Sequence, residues 1–204
     1  MNLKHLLAGS AILLCSAVVF SHATSAEYYT GDFWSGEYPG PVIKVTKNTK
    51  VTGTVTLPKA AQPSTKKVTC TLKKGVYHPW ATKTKATYHA ITGVRDYTAN
   101  KATSLELELL SGTKKLAIEK GEVVKFLAYY GEGYCLLQAK DLKGASYCPD
   151  ENDYTITKTS DYYQQYLRIS CLEGYKAYVD GSSEILKVKG IESGNISEYG
   201  KVEE

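Results

Sequence analysis

Between Tyr38 and Arg95 the chain contains no aspartate and no glutamate, although ten lysines and Arg95 fall in the same stretch. Arginine is scarce as well: Arg95 and Arg168 are the only two. Recognition of bases and phosphates leans on the forked guanidinium group, so a chain this poor in arginine is not composed as a nucleic-acid reader. No two cysteines stand in a CxxC pair, which leaves zinc and thioredoxin-like redox chemistry without a scaffold. GxSxG, HExxH and P-loop patterns are missing too, so the common signatures of hydrolase and nucleotide chemistry are not there to be read. No metal or other cofactor is expected. Phenylalanine occurs three times and tryptophan twice against 17 tyrosines. Most aromatic faces therefore carry a polar edge.

What is present begins with an address. Lys4 and His5 precede an apolar run from Leu6 to Phe20, and "HATSA" places small residues for cleavage after Ala26. This is the pattern of a secretory signal peptide. The run is too short and too poorly framed for a membrane anchor, and Cys15 within it is expected to be discarded with the peptide. Processing would leave four cysteines, Cys70, Cys135, Cys148 and Cys171. An even count in an exported chain points to two disulfides. The expected location is the periplasm or the exterior.

The remainder is written in short strands. "VIKVT", "VTGTVTL", "KVTCTL", "YHAITGV", "SLELELL", "YTITKT", "LRISCL" and "EILKV" are rich in β-branched residues and separated by turn residues. That pattern favours a sandwich or small barrels over a parallel sheet. In "SLELELL" the alternation buries Leu105, Leu107 and Leu109 and wets Glu106 and Glu108. "SDYYQQYLRI" is the best helix candidate, although its second half also reads as strand. The aromatic segment 28–41 is too apolar for a free tail and is expected to pack across a sheet edge or an aromatic face of the same domain. The last dozen residues are expected to be mobile.

Residues 131–149 read as a stapled hairpin. Placing Cys135 opposite Cys148 centres the turn between Asp141 and Leu142, with "KDLK" at the tip and Ala139 facing Gly144. Opposed residues lie within disulfide reach, which pairs Cys135 with Cys148 and, by elimination, Cys70 with Cys171. Around this hairpin stand Lys120-Gly121-Glu122 before an apolar strand, the bend from Gly131 to Tyr134, and Lys143-Gly144. In these turns the chain, over about residues 112–155, resembles bacterial SH3-like domains. It departs from their pattern where "SLELELLSGTKKLAI" replaces the usual leading segment, where Tyr134 replaces a tryptophan, and in the added cysteine pair. The resemblance implies an SH3-like barrel and a wall-glycan or peptide ligand. The expected fold is thus mainly β and disulfide-tied, a small barrel or sandwich. A signal peptide (1–26) precedes a basic, aromatic β region (27–111), the SH3-like barrel (112–155) and a C-terminal β-hairpin region with tail (156–204).

Charge is divided along the chain. Against the basic stretch 38–95, residues 96–204 hold eighteen acidic and thirteen basic groups. A basic stretch suggests an anionic partner. It coincides with the densest aromatic cluster, "YHPWATKTKATYH", in which Tyr77, His78, Trp80, Lys83, Lys85, Tyr88 and His89 are candidate ligand-binding residues. Rings with one apolar face and one polar edge suit sugar stacking, and equally suit core filling. The sequence therefore leads to an exported, non-enzymatic binding module of the bacterial envelope, holding an anionic cell-wall or surface glycan. The alternative is a protein-directed inhibitor, immunity protein or assembly subunit. It would use the loops at Lys140, Asp141, Leu142 and Lys143 and at Asp150 and Glu151, since rigid loops bind at little entropic cost. A hydrolase is the third reading, to be recognised by two convergent carboxylates or a His–carboxylate pair in a sheltered cleft.

Overall fold

The structure is a computed structural model describing residues 26–37, 40–60, 66–197 and 201–203. The expected signal peptide lies outside the described residues apart from Ala26. In chain order the strands are β1 (Tyr28–Gly31), β2 (Ile43–Val45), β3 (Thr49–Thr54), β4 (Lys67–Leu72), β5 (Gly75–Tyr77) and β6 (Thr87–Gly93). Next come β7 (Arg95–Ala99), β8 (Thr103–Leu109), β9 (Gly112–Ile118), β10 (Val123–Gly131), β11 (Tyr134–Ala139), β12 (Leu142–Tyr147) and β13 (Tyr154–Lys158). The chain closes with β14 (Tyr163–Ser170), β15 (Lys176–Asp180), a 3-10 turn (Ser183–Lys187), β16 (Ile191–Ser193), β17 (Ile196–Ser197) and β18 (Lys201–Val202). Among the described residues there is no α-helix.

Two units result, and one is inserted into the other. A six-stranded antiparallel sheet runs β1-β6-β14-β15-β3-β4, faced by the three-stranded sheet β16-β2-β5. Between them lies a core that includes Ile43, Val45, Leu72, Leu167, Ile169 and Val179, each almost fully buried. Burying each such aliphatic side chain stabilises by roughly 1.5–3 kcal/mol. Residues 95–158 leave this sandwich between β6 and β14, which are themselves neighbours, and form an open seven-stranded sheet, β13-β7-β10-β11-β12-β8-β9. Its own core includes Leu105, Leu107, Ile118, Val124 and Leu137. The hairpin β8–β9, with Leu105 opposite Leu116, crosses residue 111. The alternation of "SLELELL" is borne out at Leu105 and Leu107, which are buried, and at Glu106 and Glu108, which are exposed, while Leu109 is half-buried.

The chain leaves and re-enters the sandwich side by side. Gly93 N donates to Tyr162 O at 2.6 Å, and a Cβ on Gly93 would lie 1.7 Å from Ser160 O. Only glycine permits that approach. The junction is filled by Val94, Leu127, Ala128 and Leu136, with Tyr29, Phe33 and Tyr130 packed against them. The aromatic segment thus packs as expected: β1 pairs with the edge of β6. Beyond it, the buried Gln165 accepts from Ser35 N (3.3 Å) and donates to Phe33 O (3.1 Å). Glu37 accepts from Tyr129 OH (2.6 Å) and Glu132 N (3.0 Å), which ties this strap to the second sheet.

Both disulfides pair as expected, Cys70–Cys171 and Cys135–Cys148, with Cα separations of 5.1 and 5.0 Å. The register of the hairpin is corrected by two residues. Cys135 faces Ser146, and Ala139 faces Leu142 across a two-residue loop whose first residue, Lys140, has φ 54°. Two-residue loops match the twist of the flanking strands, so the tip tightens to Lys140–Asp141 and Cys148 falls diagonally past Cys135. A slip of two leaves both cysteines on one face, which is why the pairing survives.

Four further expectations are corrected. "SDYYQQYLRI" is strand from Tyr163 onward, because Leu167 and Ile169 alternate into the sandwich core between two partner strands. "EILKV" is not a strand but belongs mostly to the 3-10 turn, started by the Ser182 side chain accepting from Glu184 N. The strands of 112–155 do not close into a barrel; they share the open sheet with β7 and with β8, which supplies Leu105 and Leu107 to its core. The C-terminal stretch is not loose throughout. β17 pairs with β18, and Val202 is buried with Val42 and Val76.

Candidate functional site: a basic cleft beside an aromatic one

His78 organises the candidate region. The chain leaves β5 at Tyr77 and loops round to β6, and His78 is the hub of that loop. Its carbonyl accepts from Ala81 N (3.0 Å) and Ala86 N (3.2 Å), and its Nδ1 accepts from Trp80 N (3.2 Å). A buried imidazole with these partners is a structural post. It holds the loop so that Trp80, 40% exposed, and the lysines Lys83 and Lys85 project outward.

The seven sequence candidates divide accordingly. Tyr77 and Tyr88 belong to the sandwich core. Their hydroxyls donate to backbone oxygens, Tyr77 to Lys73 O at 3.0 Å and Tyr88 to Pro41 O at 2.6 Å. Burial pushes the Tyr77 hydroxyl above the ordinary tyrosine pKa. His78 is 1% exposed and meets Trp80 and Tyr88 edge to face at 4.9 and 5.6 Å. Tyr88 and His89, adjacent in β6, point to opposite faces, as strand alternation demands. His89 instead meets Tyr178 edge to face and Asp32, with Nδ1 2.6 Å from Asp32 Oδ1. The exposed members are Trp80, Lys83 and Lys85.

Two clefts flank this loop. The larger, about 490 Å³, is lined by Lys73, Lys83, Lys85, Arg168 and Lys176 among others, with no carboxylate in its wall among the described residues. Arg168 is directly opposite Tyr178, and its guanidinium carbon stands 5.8 Å from the ring centre, a cation–π contact that limits where the fork can point. Glu173, on the same loop as Cys171, accepts from Thr71 N (2.9 Å) and Thr71 Oγ1 (2.5 Å). Those hydrogen bonds hold its carboxyl below the usual range. The smaller cleft, about 190 Å³, is lined by Asp32, Trp34, His78, Trp80 and Tyr88 among others. Thr87 belongs to both walls, so the two clefts adjoin.

The residues that sequence reading missed are Lys73, Trp34, Asp32, Arg168 and Lys176. Lys73 was within reach as one lysine of the acid-free stretch. Arg168 and Lys176 arrive from β14 and β15, across an insertion longer than sixty residues, and no local pattern marks them.

The Asp32–His89 pair has the partners of an orienting carboxylate and an imidazole, but its geometry is closed. His89 Nε2 is buried and has no hydrogen-bond partner among the described residues, so no reacting atom reaches it from solvent. A base must lie within hydrogen-bond reach of its proton. The pair instead fastens the strap where β1 leaves β6. Among the described residues, Cys70, Cys171 and Glu173 are close enough together to share an ion, but the two sulfurs are bonded to each other. No helix among the described residues is long and apolar enough to cross a membrane.

The alternative contact loops are held by separate partners. Lys140 Nζ donates to Ala117 O (2.8 Å) and lies 3.5 Å from Glu122. Leu142 packs against the second core, and the Lys143 ammonium lies 5.1 Å from the centre of the Tyr29 ring. Asp141 is exposed. Asp150 accepts from Asn152 N at 2.6 Å, closing a local turn that leaves Glu151 exposed.

No family model matches this chain, and neither the curated proteins nor the solved structures yield a significant match.

Proposed function

We propose that this protein is an exported, non-enzymatic binding module of the bacterial envelope that holds an anionic cell-wall or surface glycan. The observation that carries this reading is the adjacency of the clefts: five cations lining one on one side of Thr87, and Trp80 and Trp34 on the other. Clustered cations raise the local concentration of an anion and favour its approach. The exposed Trp80, beside the half-buried Trp34, gives a sugar ring an apolar surface to stack on. The single guanidinium in the basic cleft adds a forked contact for a carboxylate or phosphate. The enclosed Nε2 of His89 supports a binding role over a hydrolytic one.

The protein-directed reading has less support, because Lys140, Leu142 and Lys143 are engaged with the protein's own groups. The test is co-sedimentation of the oxidised protein with purified cell-wall sacculi at low and high ionic strength. Pelleting at low salt, lost at high salt and lost in a Lys83→Ala/Lys85→Ala/Arg168→Ala variant, is the expected result, since surface electrostatics are screened by salt. Failure to pellet at either salt would overturn the proposal.

A further inference from the structure

The groove does not end at the aromatic cleft. Trp34, which lines it, also lines a third cleft of about 380 Å³, whose wall includes Pro41, Ile43, Ile185 and Leu186 together with Glu37. Glu37 is turned toward Tyr129 and Glu132. Shared walls thus link three clefts in series: cationic, aromatic, then apolar, with Thr87 at the first join and Trp34 at the second. The cations stand at one end and the aliphatic side chains at the other. That polarity matches a ligand with an anionic head, a sugar body and an apolar tail. A bare polysaccharide would leave the apolar end unused, whereas an acyl chain placed there would shed water-exposed hydrocarbon.

From this order, and resting on the binding role proposed above, we infer that the ligand is an acylated anionic glycan: a charged sugar head in the Lys83–Arg168 cleft, its ring beside Trp80 and Trp34, its tail along Ile185 and Leu186. The apolar cleft shares Trp34 with the aromatic cleft, which shares Thr87 with the cationic one; this order, with complementary charge at the cationic end, selects this occupant over an unrelated apolar segment.

The chain's two tryptophans, Trp34 and Trp80, both line the middle cleft, so intrinsic fluorescence reports its occupancy directly. The titrants are glucosamine phosphate, the same compound carrying a decanoyl chain and kept below its micelle concentration, and uncharged decyl glucoside. The acylated phosphate should bind roughly ten-fold or more tightly than either of the others, since each buried methylene adds to affinity. Leu186→Glu should remove the gain from acylation while leaving glucosamine phosphate unaffected. Ser183→Phe, which fills the same cleft from an exposed position without adding a tryptophan, should do the same and guards against a Leu186 variant that fails to fold. Equal binding of the acylated and bare phosphates would overturn this inference and leave the glycan reading standing. Decyl glucoside binding as tightly as the acylated phosphate would overturn it too, as would a gain that persists in Ser183→Phe. Loss of both phosphates together with loss of sacculus binding would overturn both.

Discussion

Cys171, in the turn that follows β14, is bonded to Cys70 of β4, which lies three positions away in the sheet order β14-β15-β3-β4. The bond, reinforced by Leu172 N donating to Thr71 O (2.9 Å), draws the turn across the end of the sheet. Cys171 and Leu172 line the basic cleft there. A covalent tie therefore stands in the wall of the proposed anion site.

Its loss should cost more than loss of the hairpin staple. The two bridges span sequence separations of 101 and 13 residues. Loop closure in the unfolded chain makes these worth about 5 and 3 kcal/mol respectively. Urea unfolding of Cys70→Ala/Cys171→Ala and of Cys135→Ala/Cys148→Ala should rank them in that order, and only the first should also weaken sacculus binding. The opposite ranking would show that the long tie carries little constraint.

Gly93 is expected to be intolerant. Gly93→Ala drives a methyl into Ser160 O at the crossing between the units, and should cost about 3 kcal/mol or more by overpacking. Gly174 has φ +88° but open space around it, so Gly174→Ala should cost only about 1–2 kcal/mol of backbone strain. Thermal unfolding of both variants, compared with the parent, separates steric clash from conformational strain.

Acid should loosen the strap. The Tyr129 hydroxyl, and secondarily the Glu132 amide, hold the Glu37 carboxyl below the ordinary glutamate value. A depressed folded value means that the stabilisation is fully present above the unfolded pKa of about 4.3. It is lost as pH falls through the folded value. Glu37→Gln should therefore lower the urea midpoint at neutral pH, and the deficit should shrink as the pH is taken below about 4. A deficit that stays constant over that range would show that the ionised carboxylate is not what matters.

Trp80 and Tyr88 are two aromatics from one sequence cluster with different duties. Trp80→Ala should leave stability within about 1 kcal/mol, as for an exposed position, and reduce glycan binding. Tyr88→Ala should cost about 3–5 kcal/mol, as for a buried ring. Circular dichroism melts alongside sacculus pelleting check both. An unfolded Trp80→Ala would place that ring in the core and remove it from the site.

The sequence by itself determined the strand-rich character, the burial of Leu105 and Leu107 and the pairing of four cysteines, because period-two alternation and disulfide reach are local properties. It also marked the acid-free stretch and the exposed Trp80, Lys83 and Lys85. It misplaced the hairpin register by two residues, because a turn's loop length is chosen by strand twist and not by which cysteines must meet. It grouped Tyr88 with His89, which alternation sends to opposite faces. Only the tertiary structure decided that residues 95–158 form an insertion between neighbouring strands. Pairing of β14 with β6 across that insertion brings Arg168 and Lys176 beside Lys83 and Lys85, so the five-cation cleft exists only once those strands have met. Long-range pairing of this kind is set by packing of the whole core, and no short stretch of sequence encodes it.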